Sequence, residues 1–90
     1  MRIILRAIDK PGALQVRLDN RPAHVAYLKA HDIVEMAGPL LNADGDMCGS
    51  VIILATDDMK EAEAFAANDP YARAGLFESV SLDFWNKVIG

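Results

Sequence analysis

The chain has 90 residues, 52% hydrophobic and 24% charged, and nine basic against thirteen acidic side chains leave a formal charge of -4. This suffices for one modest core and excludes disorder as the main state. No Lys/Arg cluster of the kind a phosphate backbone requires is present, so no nucleic-acid partner is expected, and the single Cys48 excludes an internal disulfide and a cysteine-built zinc centre.

Taken in order, Arg2 to about Ile8 is a short β-branched run that predicts a first strand. Arg6 and Asp9 interrupt it, so it makes neither a signal peptide nor a membrane span; no membrane partner and a cytoplasmic location are expected. Asp9-Lys10-Pro11-Gly12 is turn chemistry. From Ala13 the spacing of Leu14, Leu18, Val25 and Leu28 is helical. Pro22 lacks an N–H and clashes with the preceding turn, which predicts two helical pieces with Asn20 capping the second. His24, Leu28 and His31 share a stripe of that second piece. Ile33 to Leu41 predicts a second strand, bent or bulged at Gly38-Pro39.

Asn42 to Asp46 is a turn, and Gly49 to Ala55 is the strongest strand pattern in the chain. Asp58 and Glu61 are spaced as a capping box. Behind them Met59, Ala62, Phe65 and Ala66 form the apolar face of a helix ending near Ala67. Pro70 pushes Asp69 out of helical conformation, so a backbone break is expected there. A short turn then follows, with Asp69 as N-cap and Gly75 as its left-handed stop. Glu78, Val80, Leu82 and Phe84 alternate with Ser79, Ser81 and Asp83, a last strand with one buried face.

Strand, helix, strand, strand, helix, strand is the ferredoxin-like α+β pattern: four antiparallel strands with two helices on one face, here a single domain spanning residues 1–90. The opposite face, left apolar, is expected to be buried by a second copy, giving a homodimer with a barrel-like interface.

For chemistry, His24 and Asp69 stand out. An imidazole both takes and returns protons near neutrality, and a carboxylate accepting its other ring N–H fixes the tautomer. Capping alone accounts for Asp69, and one of its oxygens is free to cap while the other meets the imidazole. Ser50 stands at a strand start rather than in a nucleophile elbow, and is cast as a contact to a substrate oxygen. Arg21, one turn before His24, is a candidate for an anionic substrate group and Tyr71 for a further substrate contact. His31 is read as a charge at a helix C-terminus, and Cys48 as inert. Asn42-Ala43-Asp44-Gly45-Asp46 resembles a calcium loop but has Ile53 at the twelfth position, and two histidines seven apart make no zinc site. No metal and no cofactor are expected.

Arg21-Pro22-Ala23-His24 with Tyr27-Leu28, Ala37-Gly38-Pro39, Gly49-Ser50, Asn68-Asp69-Pro70-Tyr71 and Ala74-Gly75-Leu76 together resemble the YCII-related (YciI-like) family over nearly the whole chain. The resemblance implies a dimeric α+β barrel with a histidine and an aspartate in the active site, mapping to His24 and Asp69. It also implies that the scaffold supports elimination chemistry, since one branch is a dehydrochlorinase acting on a chlorinated hydroxyquinone. The expectation is thus a lyase or isomerase with a His-Asp pair acting on a small organic substrate. The alternative is a ligand-binding or dimerisation module without turnover; a subunit of a larger assembly, contacting a partner through Trp85 and the tail, is a third.

Overall fold

The computed structural model describes residues 1–90. It runs β1 (Arg2–Asp9), α1 (Leu14–Lys29), β2 (Val34–Leu41), β3 (Met47–Leu54), α2 (Met59–Asn68), α3 (Pro70–Arg73) and β4 (Phe77–Trp85). The strands form one antiparallel sheet in the order β2-β3-β1-β4, with β3 and β1 central. This is the ferredoxin-like arrangement. Alternation along β1 sends Ile3, Leu5 and Ala7 to one face, and register places them opposite Leu54, Ile52 and Ser50 of β3. On that face they meet Ala62 and Phe65 of α2, with Tyr27 and Leu28 of α1 packed at the margin. The helices lie on this one face.

Several local devices form where the sequence predicts them. Asp58 caps α2, its side chain accepting from the N–H groups of Lys60 and Glu61. Only half of the capping box forms, because the Asp58 N–H donates to Thr56 Oγ1 rather than to Glu61. Asn42 Oδ1 accepts from the Asp44 and Asp46 N–H groups and closes the β2–β3 turn. Gly75, at φ +72°, ends α3 in the left-handed region.

Four expectations need correction. Pro22 does not divide the first helix: α1 is continuous, with Pro22 inside it. Pro22 and Leu18, the residue whose carbonyl loses its donor, are both exposed, so water can replace the missing bond. Asn20 therefore caps nothing, and its amide donates back to the Val16 carbonyl at 2.8 Å. The bulges in β2 fall between Val34 and Met36 and between Leu40 and Leu41, whereas Gly38 and Pro39 stay in register with Val51 and Ser50. β2 is an edge strand, so Pro39 lacks a donor only where none is needed. Finally, β4 buries little of its apolar face. Val80 and Phe84 are exposed because the helices cover the sheet centre and stop short of this edge.

Candidate active site

The inward side of α1 carries an unusual burden: its buried residues are Arg17 and His24, both polar. Seven residues of helix separate them, two turns and about 10.5 Å of rise, so they project from the same side. The ring of Tyr71, buried in α3, fits between. Its centroid lies 3.9 Å from that of the His24 imidazole, nearly parallel at 16°, and 4.5 Å from Arg17 Cζ. Two residues of one helix thus grip an aromatic ring from another segment, by stacking on one side and cation–π attraction on the other.

Asp69 occupies the junction of α2 and α3 with extended backbone, φ -61° and ψ 132°, as its following proline requires. Its Oδ1 accepts the Tyr71 N–H at 2.8 Å and stands 2.9 Å from His24 Nδ1. One oxygen serves both purposes; the division of cap and imidazole between two oxygens does not occur. A carboxylate oxygen accepts only, so Nδ1 carries a proton, and in the neutral imidazole Nε2 holds the lone pair. Nε2 has no partner within the protein, and the ring lines a cleft.

That cleft, of about 250 Å³, opens at the β2 edge between α1 and the sheet. Arg21, Lys29, Val25 and Leu28 line it from α1, Ala37 to Pro39 from β2, and Ser50 and Ile52 from β3. Met47 of β3, Arg17, His24 and Tyr71 complete the wall. Among the lining residues are three cations and no carboxylate, in a chain whose net charge is -4. Arg21 and Lys29 are exposed and carry no ion pair. The apolar walls and the positive rim suit a small molecule bearing negative charge.

Behind the cleft lies a buried ion pair. Arg17 Nε and Nη2 donate to Asp9 Oδ2 and Oδ1 at 2.7 and 2.8 Å, and Nη2 also donates to Ser50 Oγ at 3.0 Å. Burial works against the charged guanidinium, but the hydrogen bond and charge of Asp9 outweigh it and raise the Arg17 pKa above its already high ordinary value. Burial also raises the Tyr71 pKa, although the charges of Arg17 and Arg21 oppose it.

All five residues singled out in the sequence (Arg21, His24, Ser50, Asp69 and Tyr71) are therefore drawn together by the fold. Asp9 and Arg17 were missed: Asp9 reads as turn chemistry, and Arg17 carries no motif. The available signal was the seven-residue spacing of Arg17 and His24. His31 lies elsewhere, past the end of α1, with Nδ1 bonded to the Tyr27 carbonyl at 2.7 Å. Trp85 ends β4, and Cys48 is half-buried as a free thiol.

Sheet and helices together define a ferredoxin-like α+β protein. The fold is shared by an antibiotic biosynthesis monooxygenase at TM-score 0.60 and 14% identity, covering 98% of each chain. More specifically, the chain belongs to the family of the YCII-related domain, whose model matches residues 1–86. Protein YciI of Escherichia coli O6:H1 is 36% identical, over 98% of this chain and 99% of its own. An uncharacterised protein of Haemophilus influenzae is 32% identical over the same shares. A solved relative, the 5-chloro-2-hydroxyhydroquinone dehydrochlorinase TftG of Burkholderia phenoliruptrix AC1100 in complex with 2,5-dihydroxybenzoquinone, superposes at TM-score 0.89 with 38% identity, covering 96% of this chain and 94% of its own.

Proposed function

We propose that this protein is a cytoplasmic, homodimeric enzyme of lyase or isomerase type, acting on a small, anionic, cyclic organic molecule. His24 serves as general base and acid through Nε2, and Asp69 orients it. The observation that carries this reading is the 2.9 Å contact of His24 Nδ1 with Asp69 Oδ1, which leaves the basic nitrogen on the wall of a positively rimmed cleft. Arg21 holds the substrate's negative group, Ser50 meets one of its oxygens, and Tyr71 keeps the imidazole plane fixed.

The step balances without a nucleophile. Nε2 takes a proton from carbon next to a carbonyl; the C–H pair becomes the C=C of an enolate, and the carbonyl oxygen takes the negative charge. In an elimination the enolate pair then re-forms the carbonyl and expels the β-substituent with its bonding electrons. In an isomerisation the imidazolium returns the proton to another atom. Assistance of this kind is worth about 10²–10⁴ in rate.

The first compound to assay is 5-chloro-2-hydroxyhydroquinone, the substrate named for the 38% identical relative, whose keto tautomer carries the carbonyl, the adjacent C–H and the β-chlorine that the step requires. Release of chloride by the wild type, reduced about 10²–10⁴-fold in His24→Ala, is the expected result. A variant that lacks the imidazole yet turns over any identified substrate at the wild-type rate overturns the proposal. Tight binding of such ligands without turnover identifies a binding module instead.

A further inference from the structure

We propose that Ser50 donates a hydrogen bond to the substrate oxygen on which negative charge develops, and that Asp9 and Arg17 hold it in that role. The inference rests on the reaction class proposed above and assigns the group that stabilises its intermediate.

A guanidinium only donates, so the 3.0 Å contact from Arg17 Nη2 makes Ser50 Oγ the acceptor. The hydroxyl's own proton must then point elsewhere. Ser50 is 3% exposed, has no other side-chain partner, and lines the cleft. The cleft is the direction left to that proton. Arg17 cannot turn away to release the serine, because Asp9 holds Nε and Nη2 in a two-pronged contact and the Tyr71 ring covers its face. Arg17 engages Nε and Nη2 with Asp9 and Ser50, and only Nη1 is left without a protein partner.

The position also suits the chemistry. Ser50 projects from the sheet floor and His24 from the helical wall of the same cleft, so one small molecule can present a C–H to one and a carbonyl oxygen to the other. A cation donating to the serine oxygen polarises the O–H and strengthens it as a donor. The bond would tighten as the carbonyl becomes an enolate, which is the condition for lowering the barrier rather than merely binding substrate. Ser50 transfers no proton in this scheme. Asp9 and Arg17 are positioning residues; Ser50 would touch the reacting atoms.

The test uses 4-nitrophenol, whose yellow phenolate reports its own ionisation. On wild-type protein the bound phenol should ionise at lower pH than in solution, and Ser50→Ala should weaken phenolate binding about tenfold while neutral phenol binding changes little. Ser50→Thr, which keeps a hydroxyl, should restore most of the effect, and thermal melts confirm that each variant is folded. In turnover, Ser50→Ala should lower kcat by about 10²–10³ with a smaller change in KM. Phenolate binding no better on wild type than on Ser50→Ala overturns the assignment of Ser50, even where His24→Ala has abolished turnover. Full activity in His24→Ala overturns the reaction class and this inference with it.

Discussion

At the residue scale, Asp69 has two duties that mutation can separate. Asparagine keeps an oxygen to cap α3 but loses the charge facing the imidazole, whereas alanine loses both. Asp69→Asn and Asp69→Ala should therefore both lower turnover, but Asp69→Ala should be about 1 kcal/mol less stable in urea denaturation. Equal stabilities would show that the capping bond contributes nothing. For the buried pair, Arg17→Ala strands Asp9 without its partner and should lose about 3–5 kcal/mol. Tyr71 and Tyr27 hold their protons more tightly in the folded state than their ordinary pKa of 10.0, chiefly through burial. Their contribution to stability is thus complete below about pH 10 and falls as pH rises through the folded values. Denaturation midpoints compared at pH 9 and 11 should drop less in Tyr71→Phe than in wild type; an equal drop would assign the loss to other groups.

At the element scale, α1 shows where periodicity misleads. An apolar count places Leu14, Leu18, Val25 and Leu28 inward, yet Leu18 is 44% exposed while Arg17 and His24 are buried. The helix faces a cleft on one side, and Arg17 and His24 take its inward positions there. β3 is the opposite case: its apolar run forms a central strand as written. It also carries a tight approach, since a Cβ on Gly49 would lie 2.5 Å from the Ala7 carbonyl oxygen. Gly49→Ala should part β3 from β1 and lower stability by about 1–3 kcal/mol in thermal or urea unfolding. Gly38→Ala, with open space around its Cβ position, should leave stability near wild type.

For the whole molecule, register puts Ile4, Ile8, Val51, Ile53, Met36 and Leu40 on the sheet face away from the helices. Burial of this face by a second copy is the proposed reason for dimerisation. Val51→Glu should then sediment as a monomer in analytical ultracentrifugation, and wild type at twice the chain mass; a monomeric wild type refutes the dimer. What the sequence by itself determined is the order of the strands and main helices, the side-chain caps of α2 and α3, the turns, and the family resemblance that points to His24 and Asp69. The caps and turns rest on contacts a few residues apart. The tertiary structure alone decided that the two side chains meet, 45 positions apart, that Tyr71 is gripped between His24 and Arg17, and that Asp9 stands behind them. Such pairings depend on which faces β1, α1 and α3 turn toward one another, and that is set by packing of the core rather than by any local preference of the chain.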